Sequence, residues 1–245
     1  MHSQTEGLRW RAPIARWAAW EARVDAAAAP DVGFIEPMLR RRLGRLAKMA
    51  LRVAHDCAQD LPRVRFVFAS RHGDLTRTTA LLDDLAAGEA LSPTAFSLSV
   101  LNASAGLFSI LRNDTAPATA VAAARSSFGF GLLEAATQLA DDPGTPVLLV
   151  YADEPAPAVY GEDAANTGPA HALALLLAAD GAEPARTLDC RLESCAAASD
   201  EEPHSLAFLR SLEGTQAGER IGGAWVGEGR RWRWASNGNE SGTTR

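Results

Sequence analysis

The stretch ATAVAAARSSFGFGLLEAATQLA, residues 118–140, is the part of the sequence on which the fold prediction depends most. It begins with small and β-branched residues, 118–124, which predict a buried strand. Three polar residues follow, 125–127, and the apolar spacing after them is typical of a helix. A turn from a strand into a helix presents unpaired N–H groups and the positive end of the helix dipole, so it is a common position for a nucleophile or an anion site. This turn contains neither a cysteine nor a Gly-x-Ser-x-Gly motif.

Two serines in this turn are alternative candidates for a nucleophile. Ser126 and Ser127 would need a general base within hydrogen-bond reach. The sequence offers only remote candidates for that base, namely His55, His72 and Asp153. Serine is also a preferred residue at the start of a helix, where its hydroxyl caps a free N–H group, and we prefer this second interpretation.

The composition describes an ordinary globular protein. The chain has 245 residues, of which 47% are hydrophobic, with a formal net charge of −6 and a pI near 5.4. The acidic balance argues against nucleic acid as a partner. No apolar run approaches the roughly 18 residues needed to span a bilayer, so no membrane partner is expected. The N-terminus has no signal-peptide pattern, which predicts a cytoplasmic protein.

The three cysteines do not form a recognisable site. Cys57, Cys190 and Cys195 lie at spacings that indicate neither a disulfide framework nor a zinc site. We therefore expect no metal and no cofactor. We interpret residues 1–235 as a single domain and residues 236–245, SNGNESGTTR, as a disordered tail.

Apolar runs and helical periodicities alternate along the chain, which predicts a layered α/β fold with helices covering a mixed β-sheet. Besides the opening stretch, we expect strands at 65–70, 146–151, 171–179 and 186–195, and a hairpin at 224–234. We expect helices at 8–25, 37–61, 75–87, 101–111 and 203–212.

The predicted helix at 37–61 carries a basic stripe opposite its apolar face. Such a stripe is usually a solvated surface, and it is also suited to an acidic partner such as an acyl carrier protein. The stripe consists of Arg40, Arg41, Arg45, Lys48 and Arg52.

Three segments in this order resemble the N-terminal half of β-ketoacyl synthases, which have the thiolase fold. They are residues 70–110, residues 118–140 and PVLLVYADE at 146–154. The similarity is greatest to a short, divergent branch: the chain-length-factor type of aryl-polyene and type II polyketide clusters. The resemblance covers roughly residues 60–180 and implies a thiolase-like fold that is truncated relative to full ketosynthases. The ketosynthase pattern ahead of the nucleophile strand is present as Pro93, Phe96, Asn102 and Gly106.

The resemblance also implies where a nucleophile would lie. Active ketosynthases carry a cysteine in the turn before the buried helix, where the helix N-terminus lowers the thiol pKa. Alignment from the strand side places Ala124 at that position, and alignment from the helix side places Arg125 there. Neither residue can attack a thioester. His171 and His204 do not match the catalytic histidines of the family, and we interpret both as structural or surface residues.

The same resemblance assigns roles to residues around the turn. Arg125 is expected to pair with an acid or to bind an anion such as a phosphopantetheine phosphate. The strand that contains Thr119 and Val121 corresponds to the strand that pairs with a dimer partner. Phe128 and Phe130 would lie near the partner's acyl tunnel, or would fill this chain's own core.

The resulting hypothesis is a non-catalytic ketosynthase-like subunit, a chain length factor. It would form a heterodimer with an active β-ketoacyl synthase that elongates acyl chains on an acyl carrier protein, in aryl polyene, polyketide or fatty-acid-like biosynthesis. The alternative is a stand-alone acyltransferase or thioesterase that uses Ser126 or Ser127 on acyl thioesters.

Overall fold

A single mixed sheet forms the centre of the computed structural model of the chain. Its order is β3-β2-β4-β5-β1-β6-β8-β7, eight strands in all among the described residues. The strands are β1 Leu8–Glu21, β2 Arg65–Ala69, β3 Ala118–Val121, β4 Val147–Asp153, β5 His171–Leu177, β6 Arg186–Ser194, β7 Gly222–Gly227 and β8 Arg230–Ser236. The structure describes residues 7–23, 25, 27–161, 168–179, 186–214 and 220–236.

Helices lie on both faces of this sheet. A short 3₁₀ helix, Ala158–Tyr160, follows β4. The α-helices are α1 Pro37–Arg40, α2 Arg45–Ala58, α3 Leu75–Ala86, α4 Pro93–Ser97, α5 Ala103–Arg112, α6 Ser127–Asp141 and α7 His204–Glu213.

The core has two layers, one on each face of the central strands. Alternate residues of β4 and β5 pack on one side against α2 and α5, and on the other side against α6 and α7. Every residue of β4 and β5 is buried, as expected for continuous apolar runs covered on both faces. The prediction of a layered α/β fold is confirmed.

The first strand corrects the prediction of a helix at 8–25. β1 pairs with β6 through its first half and with β5 through its second half, and the register shifts between Ile14 and Arg16. Pro13 lies next to this change of partner, where a residue without an N–H is tolerated. The alanines and tryptophans of this stretch fit an i, i+3 helical face as well as a bulged strand, so its periodicity was misleading.

The predicted helix at 37–61 is divided into two. α1 ends at Arg40, and α2 begins after Gly44, which has extended backbone angles. The basic stripe is therefore interrupted, and part of it is neutralised within the chain. Arg45 Nε lies 2.7 Å from the Glu154 carboxylate, and Arg52 Nε lies 2.8 Å from Asp56.

Strand β3 lies at one edge of the sheet and pairs only with β2, in parallel. The sequence predicts a buried strand here, but Ala118 is exposed and the rest of β3 is only half-buried within this chain. The last described strand, β8, ends at Ser236, so the predicted tail lies outside the described residues from position 237 onward.

The close approach of α6 to the sheet predicts opposite effects for two glycine substitutions. A Cβ at Gly131 would lie 2.8 Å from Ala69 Cβ and 3.0 Å from Leu149 Cδ1, whereas a Cβ at Gly106 of α5 meets nothing within 4 Å. We expect Gly131→Ala to lower the free energy of unfolding by about 1–3 kcal/mol. Gly106→Ala should raise it by about 0.5–1 kcal/mol. Urea unfolding followed by circular dichroism measures both, and equal effects would contradict this packing.

Candidate functional site

The turn between β3 and α6 has the geometry of a nucleophile elbow. Ala124 has a φ of 46°, in the left-handed region that non-glycine residues rarely adopt. Such a conformation costs roughly 1–2 kcal/mol and is typical of a sharp turn that exposes a catalytic side chain at the end of a strand. The structure therefore keeps a strained elbow at a position where the side chain is a methyl group.

Both serines of the turn are fully buried, and their hydroxyls are used within the chain. Ser127 Oγ donates to the Ala124 carbonyl at 2.7 Å and accepts from the Ala123 N–H at 2.8 Å. Ser126 Oγ donates to the Glu228 carboxylate at 2.8 Å. Neither side chain caps an N–H of α6, which corrects the capping interpretation. The left-handed turn at Ala124 directs the Ser127 hydroxyl back to the preceding backbone instead.

Glu228 is the residue at this turn that sequence reasoning missed. It lies in the β7–β8 turn with a φ of 54°, and its carboxylate reaches the start of α6. One oxygen accepts from Ser126 Oγ, and the other accepts from the Arg125 N–H at 3.2 Å. A carboxylate at a helix N-terminus is favoured by the helix dipole. The anion position of the elbow is thus filled by the chain's own side chain.

The guanidinium of Arg125 is held by the same C-terminal region. It donates to the carbonyl of Asp200 and lies 5.7 Å from the ring centre of Trp225. The predicted partner of this arginine was an acid or a bound anion. The observed partners of its side chain are a backbone carbonyl and an aromatic ring, while its backbone N–H meets Glu228.

The two phenylalanines of the turn differ in their surroundings. Phe128 is 1% exposed and packs against Tyr151 and Phe208 at ring distances of 5.8 and 5.0 Å, so within this chain it fills the core. Phe130 is half-buried and contacts Trp232. On β3, Thr119 Oγ1 accepts from the side-chain amide of Gln138, and Val121 packs on the same side of the sheet.

A buried polar network lies beside the elbow at the carboxyl ends of β2 and β4. Asp153 accepts from Ser70 Oγ at 2.7 Å and from the Arg71 N–H at 3.0 Å. The Tyr151 hydroxyl also donates to Asp153, and burial together with this carboxylate raises the pKa of Tyr151 well above its usual value. All of these groups are used in fixing the strand ends, so Asp153 is not available as the remote base for a serine.

The buried histidines also have structural surroundings. His171 Nδ1 lies 2.8 Å from the Pro169 carbonyl, and its Nε2 lies 2.7 Å from Ser205 Oγ. Burial lowers the pKa of His171, so a neutral ring that donates from Nδ1 and accepts at Nε2 satisfies both contacts.

His204 is enclosed by aromatic rings. Its ring is stacked on Trp225 with centres 4.6 Å apart, and Phe128, Trp232 and Trp234 lie within 5.7 Å. Its Nδ1 has no hydrogen-bond partner among the described residues. Burial lowers the pKa of His204 to about 3, so the ring is neutral at physiological pH. It packs as part of the core.

No activated thiol occupies the elbow. Burial raises the pKa of Cys57 and of Cys190 to about 12. Cys195 follows β6, where its N–H donates to the Gly229 carbonyl. Within the described parts of the chain, no three His, Cys, Asp or Glu side chains are grouped so as to hold a metal ion. None of the described helices is long and apolar enough to cross a membrane.

The enclosed His204 predicts a pH dependence of stability. Because the pKa of His204 falls from 6.5 to about 3 on folding, the unfolded chain binds more protons between these values, and stability decreases as the pH falls through this window. The contribution has a slope of up to about 1.4 kcal/mol per pH unit. His204→Gln should remove this part of the slope, measured by urea unfolding at a series of pH values. An unchanged slope in the variant would show that His204 does not titrate on unfolding.

Comparison with known proteins identifies the family. Residues 15–235 match the family model of the beta-ketoacyl synthase N-terminal domain. No curated protein sequence is significantly similar to the chain. A chain of the ketosynthase (ApeO) in complex with its chain length factor (ApeC) from Xenorhabdus doucetiae is 28% identical, with a TM-score of 0.75. The alignment covers 91% of this chain and 99% of that chain.

Two further structures share the fold at lower identity. The ishigamide ketosynthase/chain length factor is 17% identical with a TM-score of 0.60, covering 85% of this chain and 75% of that chain. A beta-ketoacyl synthase from Burkholderia phymatum is 16% identical with a TM-score of 0.53, covering 70% and 52% respectively. This chain is thus shorter than full ketosynthases, and the predicted thiolase-like fold is confirmed. The chain belongs to the β-ketoacyl synthase family and contains its N-terminal domain.

Proposed function

We propose that this chain is the non-catalytic subunit of a ketosynthase heterodimer, a chain length factor. Its partner is an active β-ketoacyl synthase that supplies the cysteine and the histidines of the reaction. The observation that carries the proposal is an intact elbow without a nucleophile. Ala124 retains the left-handed backbone, but its methyl side chain has no reactive group.

The similarity in length supports this assignment. The alignment with the Xenorhabdus doucetiae chain covers nearly all of both chains, so the two are almost equally long. That structure is a ketosynthase bound to its chain length factor. A chain of this length that lacks a nucleophile fits the role of the non-catalytic member of such a pair.

The surroundings of the elbow support catalytic inactivity. The Glu228 carboxylate accepts from the Arg125 N–H, so this donor of the turn is not free to stabilise a developing oxyanion. The acyltransferase or thioesterase alternative is not favoured by the similar structures. Both serines are also fully buried: Ser126 donates to Glu228 and Ser127 to the Ala124 carbonyl, and neither hydroxyl meets a histidine.

The outer edge of β3 is suited to pairing with a partner strand. The Pro117 carbonyl accepts from the Phe66 N–H of β2 at 3.1 Å, and the Val121 carbonyl accepts from the N–H of Ser70, just after β2, at 3.2 Å. Backbone groups alternate sides along a strand, so those of Ala118 and Ala120 point away from β2. No strand of this chain pairs with that edge in the described sheet.

Large apolar side chains on α3 to α5 are also exposed within this chain. Ile110 of α5 is 75% exposed, and large apolar residues of the neighbouring helices are exposed as well. Clusters of this kind mark protein–protein contacts. They are Leu82 and Leu85 on α3, Phe96 on α4, and Val100 in the following turn.

The acyl carrier protein follows as a second partner, because the ketosynthase elongates acyl chains that are carried on it. In this assembly the non-catalytic subunit contributes to the interface and limits the length of the acyl chain. Its product class is an aryl polyene, a polyketide or a related fatty-acid-like chain. Phe130, half-buried beside the elbow, is the residue that we assign to the acyl tunnel.

Pairing through β3 predicts that Ala120→Pro abolishes the heterodimer. The substitution removes an N–H that points to the free edge but leaves the ladder to β2 intact. After co-expression with the ketosynthase encoded nearest to it, we expect the wild type to co-purify as a heterodimer and Ala120→Pro to lose at least about tenfold in affinity.

Ala120→Val is the matched control, because it keeps the N–H and favours a strand. It should co-purify as the wild type does, and all three chains should unfold at similar temperatures alone. A ketosynthase that elongates normally without this chain, or that binds Ala120→Pro unchanged, would contradict the proposal.

The Glu228 carboxylate predicts that a cysteine installed at the elbow is not activated. In Ala124→Cys, with Cys195→Ser to remove the competing thiol, we expect a thiol pKa above the usual value of about 8.5. Adding Glu228→Gln should lower that pKa by about 1 unit, because the neighbouring negative charge is lost. The pH dependence of iodoacetamide alkylation, followed by intact mass, measures both. A thiol pKa below about 7 in the presence of Glu228 would mean that the elbow still activates a thiol.

A further inference from the structure

Among the described residues, no helix covers one face of the second half of the sheet. Strands β6 and β8 pack one face against α7 and the aromatic core through Cys190, Trp232 and Trp234. The register shift in β1 places Arg9 and Arg11 on the opposite face, next to alternate residues of β6 and β8. The helices α2 and α5, which cover this side of the sheet elsewhere, pack on β2, β4, β5 and the second half of β1.

This uncovered face is strongly basic. It carries five arginines and two carboxylates, although the whole chain has a net charge of −6. Arg191 pairs with Glu193 at 3.1 Å, and Arg11 lies 3.9 Å from Asp189. The remaining arginines have no carboxylate within ion-pairing distance among the described residues. They are Arg9, Arg231 and Arg233.

Three of these arginines form a row across the strands. Arg9 lies directly opposite Arg191 in the register of β1 and β6, and Arg191 lies directly opposite Arg233 in the register of β6 and β8. Like charges in directly opposed positions destabilise a sheet. A groove of about 690 Å³ runs along this row and is lined by all three side chains. The isolated chain therefore keeps an unfavourable charge arrangement on an accessible surface.

The spacing of the arginines indicates which secondary structure could present carboxylates to all three of them. Neighbouring strands lie about 4.8 Å apart, so the arginines repeat at that distance. Side chains on one face of a helix repeat about every 5–6 Å at positions i, i+4 and i+7. Side chains on one face of a strand repeat about every 6.8 Å, which fits the row less well.

We propose that the row Arg9–Arg191–Arg233 docks an acidic helix of a partner protein, laid across β1, β6 and β8 with its carboxylates at i, i+4 and i+7. This inference does not depend on the proposed function, since it uses a different surface. Charge complementarity carries it: three guanidinium groups in a row would face three carboxylates at matching intervals. Exposed Arg9 and Arg233 would gain carboxylate partners that the described part of the chain does not supply.

A helical peptide tests the proposal directly. The probe is an alanine-rich peptide of about 16 residues with Glu at i, i+4 and i+7, long enough to populate a helix. Its control has Gln at the same positions. In NMR titrations of the full chain at about 20 mM salt, we expect the Glu peptide to shift amide signals of β6 and β8, and the Gln peptide to leave them unchanged. About 1 M salt should abolish the shifts.

Two double variants complete the test. Arg9→Gln with Arg233→Gln should lower the affinity for the Glu peptide by about fivefold or more without lowering the melting temperature of the protein. Arg42→Gln with Arg63→Gln removes the same charge from exposed positions away from this face and from the stripe, and should bind as the wild type does.

Three results would overturn the proposal. These are shifts outside this face, equal losses in the two double variants, or tighter binding of a short DNA duplex than of the Glu peptide at the same residues.

Discussion

The hydrogen bonds from the elbow to Glu228 join the end of the chain to its middle. The contact spans about a hundred residues in sequence, since Glu228 lies in the last hairpin and Ser126 begins the α6 region. It is favourable because a carboxylate at a helix N-terminus meets both free donors and the positive end of the dipole. With the turn held there, Trp225 and Trp232 lie over α6 and enclose His204.

The same contact explains how the elbow keeps its backbone conformation with alanine at position 124. A left-handed alanine is strained, and strain of this kind survives only where the surroundings determine the backbone. Here the Ser127 hydroxyl bonds to the backbone of Ala123 and Ala124, and the Glu228 carboxylate accepts from the Arg125 N–H. These hydrogen bonds are made within the chain and need no reactive side chain at Ala124, so the turn is maintained with a methyl group at that position.

Local pattern was sufficient for the centre of the fold and for the position of the elbow. The continuous apolar runs at β2, β4 and β5 admit few alternatives. Helix α3 is capped by Asp74, whose side chain accepts from the Arg77 N–H, and Gly88 follows its end at φ 74°. These features depend on neighbours in sequence. The hairpin of β7 and β8 was likewise predicted from its Gly-Glu-Gly turn.

Features that depend on distant contacts could not be derived in this way. β1 is a strand because it pairs with β5 and β6, and its own alanines and tryptophans show no clear preference for strand over helix. Glu228 is an ordinary turn residue until the hairpin is placed against α6. The face of the sheet on which the arginine row lies depends on the register shift near Ile14, which no local sequence pattern indicates.

The two edge strands of the sheet differ in whether the chain itself covers their outer edge, and this difference bears on assembly. At one end the chain covers the edge of β7 itself: the Asp200 N–H donates to the Val226 carbonyl, and the Val226 N–H donates to the Asp200 carboxylate at 2.6 Å. At the other end β3 reads Ala-Thr-Ala-Val, with no charge, proline or bulge to block pairing. Exposed edges are aggregation hazards that proteins normally protect. In the assembly that we propose, this unprotected strand pairs with a partner strand, which the same ladder of hydrogen bonds would align with the elbow.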